Sequence, residues 1–300
     1  MISKEHTPVL STALLDLLQL EPNHTVVDLT LGRSGHAFEV WKRLNVDGMF
    51  IGFDADHRQI AHGKEVFQAA KNVQLVEKNF TEITKGLKDL GISCANSIYA
   101  DLGLSTVQLL DPTRGFSFQS DQALDMRLSE TTQSLSAKDI VNTFPEKDMA
   151  DIFFQLGEER MSRQIAAAIV ADRKIKPFEN GMELAELIAH VKRVRGKIHP
   201  ATQVFQALRM YVNDELGTLK TMLQQIPQLL CENGRFAIIT FHSLEDRIVK
   251  NTFKQWKQEG TMEIINKKVI KPTWEEMKAN PRARSAHLRV VKSLKVIGKS

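Results

Sequence analysis

Between residues 25 and 103, short β-rich runs alternate with segments of helical period, and that alternation constrains the fold more than any other feature. The runs are TVVDLT (25–30), GMFIGFDAD (48–56), VQLVEKNF (73–80) and NSIYADLG (96–103). Between them lie HAFEVWKRL (36–44), a periodic segment over about 57–70 and another near 81–90. Apolar runs of this length bounded by turn formers read as buried strands. Strands separated by helices form βαβ units, and these build a parallel sheet. Upstream, Val9, Leu10, Ala13, Leu14, Leu17 and Leu18 recur at helical spacing behind a Thr7-Pro8 start signal, which predicts an amphipathic helix.

The alternation then stops. From Leu109 to about Gln203 there is no convincing core strand, only the loop DPTRGFSFQSDQALDMRL followed by helical segments. One of these carries Met149, Ile152, Phe153 and Leu156 on a single face, and another carries Leu184, Leu187, Ile188 and Val191. Beyond them, ATQVFQALRMYVNDELGTLKTMLQQIPQLL reads as one long helix bent near Pro227, and ENGRFAIITF (232–241) restores a buried strand. The expected architecture is one α/β domain, a parallel sheet flanked by helices, split by an all-helical insert. Its boundaries are drawn at 1–108, 109–205 for the insert and 206–300.

No run of about 18 apolar residues occurs, and the first ten residues lack an apolar signal core, so a membrane or secreted protein is not expected and a cytoplasmic one is. Cys94 and Cys231 lack metal-ligand or framework spacing and read as free core thiols; no metal site is expected. The net charge of +4 hides an asymmetry. Residues 250–300 hold 13 Lys and Arg against 4 Asp and Glu, a balance of +9, and the other 249 residues hold 27 against 32, a balance of −5. The positive excess sits in the tail, either as a solvated lysine-rich surface or as a face for a polyanion such as nucleic acid.

Parallel sheets bind ligands beyond the carboxyl ends of their strands. There the chain has Gly32-Arg33-Ser34-Gly35, and Asp54 follows Gly35 by 19 residues at the end of the second run. Glycine permits a sharp turn and close approach of backbone to a ligand. A carboxylate at that spacing suits the hydroxyls of a ribose, so a nucleoside-containing cofactor is expected. Dinucleotide sites favour G-x-G-x-x-G; the looser turn here suits a cofactor without phosphate, of which S-adenosylmethionine is the common one. A dinucleotide and a purely structural turn remain open at this point. Asp56 is the rival ribose ligand, or else the N-cap of the following helix.

Taken together, HTPVL, DLTLGRSGH, GFDAD, DLGLSTVQLLDPTRGFSF, LDMRL, GEER, HPATQVFQALRMYVNDEL, FHSLEDRIVK and NPRARSAHLRV resemble, in this order, the bacterial 16S ribosomal RNA cytosine-N4 methyltransferases, the RsmH or MraW family. The resemblance covers almost the whole chain. It implies a Rossmann-like class I S-adenosylmethionine-dependent methyltransferase with a helical insert, acting on cytosine 1402 of the small-subunit RNA. Carried over residue by residue, it implies cofactor contacts at Ser34, Gly35, His36, Asp54, Phe80, Asp101 and Gln108. The family's turn usually has glycine where Ser34 stands, and its usual Asp-Leu-Gly-Val-Ser-Ser reads Asp101-Leu102-Gly103-Leu104-Ser105-Thr106 here.

The N4 amine of cytosine is a poor nucleophile and needs an acceptor for the proton it sheds. Asp101, at the end of the fourth run, is the first candidate, with cofactor contact alone as its other reading. His242, in FHSLED, is the second, as proton acceptor or as a group that orients its loop. Methylation at C5 would need a thiolate in a Pro-Cys turn, and neither cysteine stands in one. RNA must offer its base unpaired. Phe116 and Phe118 could stack on it or pack within the protein, and Arg114, Arg127, Arg160, Arg163, Arg282 and Arg284 are candidate phosphate contacts. Arg289 adds to the same basic tail. The expected partner is 16S rRNA in the small ribosomal subunit; the oligomeric state is open, a homodimer being one choice. Rival functions are a methyltransferase of another RNA or of a small molecule, an inactive nucleic-acid-binding relative, and an NAD oxidoreductase.

Overall fold

A computed structural model describes residues 8–118, 121–193 and 199–294. Thr7, half of the expected helix start signal, lies outside these residues. The chain forms two compact units, Met1–Gly103 with Leu216–Ser300, and Leu104–Glu215.

The first unit is an α/β sheet protein, as the alternation predicts. After α1 (Ser11–Leu18) the chain runs through β1 (Thr25–Asp28), α2 (Gly35–Trp41), β2 (Met49–Asp54), α3 (His57–Val66), β3 (Val73–Glu77), α4 (Ile83–Asp89) and β4 (Ala95–Asp101). The chain re-enters this unit through α11 (Glu215–Leu229), followed by β5 (Leu230–Thr240), α12 (Ser243–Gln258), β6 (Met262–Ile264), α13 (Trp274–Ala279) and β7 (His287–Ser293). The seven strands order as β3-β2-β1-β4-β5-β7-β6. The pairs among β1 to β5 are parallel, and β7 runs antiparallel to both its neighbours.

Side-chain alternation along the strands builds a core on each face of the sheet. Val27, Ile51, Phe53, Ile98 and Ala100 pack with Ile83 and Leu87 of α4, Leu223 and Ile226 of α11, and Phe253 of α12. Their sequence neighbours Val26, Phe50 and Tyr99 point the other way, onto Leu14 and Leu18 of α1, Val40 of α2 and Ile60 of α3. Strands buried on both faces are apolar at every position, which is why these runs lack the polar-apolar alternation of a half-exposed strand.

The second unit contains α5 (Thr106–Leu110), α6 (Ala137–Thr143), α7 (Glu146–Gly157), α8 (Ser162–Asp172), α9 (Gly181–Lys192) and α10 (Thr202–Val212), with no strand among its described residues. The faces expected from sequence are its core: Met149, Ile152 and Phe153 of α7 and Leu184 and Ile188 of α9 join Val204 and Leu208 of α10.

Three expectations are corrected. The single long helix after residue 201 is two helices. Asp214 has φ +43°, a left-handed backbone that ends α10 just past Asn213, and Pro227 lies inside α11. Because α10 packs in the helical core, that unit extends to Glu215 instead of ending at 205. The cysteines are also not free: Cys94 and Cys231 form a disulfide. At a sequence separation of 137 no spacing rule links them. They become neighbours because β4 and β5 pair in parallel with Ala95 opposite Leu230.

Candidate functional site

Strand order reverses between β1 and β4, and the carboxyl ends of these two strands and of β2 bring three carboxylates together. Asp28 ends β1, Asp54 ends β2 and Asp101 ends β4. Asp28 is buried; its Oδ1 accepts from the Thr30 N–H at 2.9 Å and its Oδ2 from the Tyr99 hydroxyl at 2.8 Å. Burial pushes its pKa up from 3.8 to about 7, against the pull of those two hydrogen bonds, with the charge of Asp54 adding to the rise. The Thr30 hydroxyl accepts from the Asp101 N–H at 2.7 Å, which fixes the end of β4 to the loop after β1.

Asp54 holds the glycine turn in shape. Its Oδ2 accepts from the Gly32 N–H and its Oδ1 from the Asp56 N–H, each at 2.9 Å. Asp56 is the N-cap of α3, its carboxylate accepting from Arg58 N–H, because β2 ends at Asp54. Gly32 has φ +48°, and a side chain there would meet nothing closer than the Thr30 carbonyl at 3.7 Å, so the turn is open on that side. Gly35 is glycine for another reason: a Cβ would lie 2.8 Å from Cγ of Pro8. Ser34 between them has φ +61° and is buried, with its hydroxyl unpartnered. Phe80 follows β3 at the start of a short 3-10 turn, half-buried against the core. Gln108 lies in the helical unit, where it shares a capping box with Ser105 at the start of α5.

Asp101 is the chemically distinctive group. Its Oδ1 is buried without a hydrogen-bond partner, although a quarter of the side chain (26%) remains open. Burial first, and then the carboxylates of Asp28 and Glu245, raise its pKa well above the ordinary range. Its Oδ2 lies 3.4 Å from His36 Nδ1. His36 Nε2 is 2.8 Å from the Val9 carbonyl, a contact that requires Nε2 to carry the proton and leaves Nδ1 to face Asp101.

His242 is occupied differently. It caps α12: Nδ1 accepts from the Glu245 N–H at 3.4 Å while Nε2 sits 3.1 Å from Glu245 Oε1 without hydrogen-bond alignment. Glu245 in turn accepts from the Phe241 N–H at 2.9 Å. With Nδ1 accepting the cap, the neutral ring carries its proton on Nε2, and no lone pair is left to take another. This is the loop-orienting arrangement.

The arginines and phenylalanines proposed for RNA fall into two groups. Arg114 is buried and donates to the carbonyls of Arg127 and Leu128 at 3.0 and 2.8 Å. Arg127 grips Asp125 with two bonds of 2.8 and 2.6 Å. Phe116 is buried in the helical core. Phe118 is half-buried, stacked on His199 with centroids 4.3 Å apart and edge-on to Phe205. By contrast Arg160, Arg163, Arg282 and Arg284 are exposed. The sequence reading missed Asp28, Thr30 and Tyr99. A signal was present, since DLT ends the first strand as Asp54 and Asp101 end theirs, but the glycines drew the reading past it.

The profile of the MraW methylase family matches residues 3–294. The chain belongs to this family. Its relatives include three proteins named ribosomal RNA small subunit methyltransferase H. Those of Coprothermobacter proteolyticus and Elusimicrobium minutum are each 43% identical over 96% of this chain, covering 96% and 98% of their own lengths. That of Clostridioides difficile is 39% identical over 96% of this chain and 99% of its own. The family resemblance read from the motifs is borne out, and with it an enzyme whose methyl donor is S-adenosylmethionine. The residues at the switch point fit such a group: the turn at Gly32 is open, Asp54 retains acceptor capacity beyond its two turn bonds, and Asp101 Oδ1 is buried and unsatisfied.

Proposed function

We propose that this enzyme methylates the exocyclic N4 amine of cytosine 1402 in the 16S RNA of the small ribosomal subunit, in the cytoplasm. The observation that carries this reading is Asp101: a carboxyl at the switch point with one oxygen unpartnered and the other facing a histidine. Bound there, S-adenosylmethionine supplies an electrophilic methyl on its sulfonium.

Asp54 would hold the ribose hydroxyls, the backbone of Ser34, Gly35 and His36 would line the turn, and Phe80 would complete the contacts. The Asp101 carboxylate would accept a hydrogen bond from the amine, which localises the nitrogen lone pair, and then the proton the amine loses on forming its new bond. A pKa raised by burial suits Asp101 to that task, since the proton it receives is held firmly. His36 Nδ1, whose lone pair faces Oδ2 at 3.4 Å, stands within reach of that proton once Asp101 has taken it. No enzyme nucleophile is needed, in accord with both cysteines being tied in a disulfide.

The test is methyl transfer to small subunits purified from cells lacking the enzyme, with the product located by mass spectrometry. Asp101→Asn should lower kcat at least about 100-fold, the usual share of a general base. Its activity should also lose the rise with pH expected of the wild type as the carboxyl ionises. Wild-type activity in that variant would remove Asp101 from the chemistry, and methylation of another base or of a small molecule would overturn the substrate.

A further inference from the structure

The sheet's site-bearing edge has a basic neighbour that the cofactor and base contacts do not use. Between β6 and β7 the chain makes a strap, residues 265–286, which includes α13 and a 3-10 turn at Pro281–Ser285. Lys267, Lys268, Lys271, Lys278, Arg282 and Arg284 on this strap are all exposed, and none forms an ion pair among the described residues. Among the exposed lysines of the same unit, Lys42 by comparison pairs with Glu39. The strap's two carboxylates, Glu275 and Glu276, offset little of this charge, and Glu276 is engaged in accepting the Leu10 N–H at 2.6 Å.

Trp274, at the start of α13, is 66% exposed, with the Lys278 ammonium 5.4 Å above its ring. A large aromatic face left in water inside a field of unpaired cations has no use in folding this unit. It is the pairing of features that binds single-stranded nucleic acid: a flat ring for a base, with cations spaced around it for phosphates.

Two connections put the strap beside the proposed chemistry. The 3-10 turn leads directly into β7, whose first residue, His287, pairs with Thr240 at the carboxyl end of β5, the same edge that carries Asp101 on β4. The bond from Leu10 to Glu276 ties α13 to the segment whose next carbonyl, Val9, receives His36 Nε2, and His36 faces Asp101.

We infer that the strap is a docking surface for single-stranded RNA flanking the target base, with Trp274 stacking on one nucleotide and Lys278, Arg282 and Arg284 contacting phosphates around it. The inference rests on the RNA substrate proposed above and extends it to a surface outside the helical unit.

The test uses the full chain and a labelled 20-nucleotide oligouridine, which contains no cytosine, with binding read by anisotropy at several salt concentrations. Trp274→Ala should weaken binding about tenfold and Trp274→Phe should recover most of that loss. Removing Arg282 and Arg284 together should reduce the slope of log affinity against log salt by about 1.4. On small subunits, Trp274→Ala should raise KM and leave kcat, and binding of S-adenosylmethionine by calorimetry, unchanged. Oligouridine binding that is indifferent to Trp274 and to both arginines overturns the inference, as does equal affinity for polyglutamate, which would mark the strap as a face for an acidic protein. If wild-type protein fails to methylate RNA while oligouridine binding still depends on Trp274, the enzymatic reading fails and the docking surface stands.

Discussion

Replacing Ser34 with glycine should stabilise the protein. Ser34 has φ +61° and ψ +18°, a left-handed conformation that costs an L-residue about 1–2 kcal/mol. Its side chain is 1% exposed and its hydroxyl finds no partner; a Cβ added at Gly63 of α3 would sit 3.6 Å from the Ser34 oxygen. An unsatisfied buried hydroxyl costs about 1 kcal/mol or more. Against these gains, glycine adds roughly 0.5–1 kcal/mol of unfolded-chain entropy, and the vacated space, on the order of 30 Å³, costs about 0.7 kcal/mol at the known penalty per volume. The net is about 1 kcal/mol in favour of glycine. Urea unfolding followed by tryptophan fluorescence should show a higher midpoint with unchanged slope. Because the hydroxyl faces α3, affinity for S-adenosylmethionine should change less than about threefold. A lower midpoint, or a tenfold loss of cofactor affinity, would mean that the serine oxygen is a ligand and not an orphan, and the reasoning would fail.

Three further results follow from the same geometry. Asp28 ionises near 3.8 in the unfolded chain and at about 7 in the fold, so its contribution to stability is complete below about pH 4 and is lost as pH rises to about 7. The loss runs at up to about 1.4 kcal/mol per pH unit, and Asp28→Asn should show a shallower decline between about pH 4 and about pH 7; equal slopes would deny the burial of that charge. Titration of denatured protein without reductant should find no free thiol. Reduction should then lower stability by up to about 5 kcal/mol, the chain-entropy limit for a closed loop of 137 residues, and two titratable thiols would refute the Cys94–Cys231 bond. His242→Asn, which keeps an N-capping oxygen, should retain most methyl-transfer activity, whereas loss of about 100-fold would restore His242 as a proton acceptor.

The alternation of buried strands and amphipathic helices over residues 25–103 was legible because strand and helix periods are properties of adjacent residues. So was the position of Asp54 and Asp101 at strand ends, since both follow apolar runs directly. The helical unit was legible as a loss of strands, but not its far boundary. Asn213 and Asp214 sit within an unbroken apolar pattern, and only the packing of α10 into the helical core shows where the unit ends. The RNA candidates were the least legible. Arginine looks the same in sequence whether it braces carbonyls, as Arg114 does, or faces water, as Arg284 does.

Read alone, the order of residues determined the α/β class, the family and the place of Asp54 and Asp101 at strand ends, because each rests on local period or on a contiguous motif. Only tertiary structure decided that Cys94 meets Cys231, that a Cβ at position 35 would press on Pro8, that both nitrogens of His242 face Glu245, and that Asp28 shares a buried network with Tyr99. All four depend on contacts whose partners are set by strand pairing or side-chain packing, and burial and charge arise only once those partners are in place.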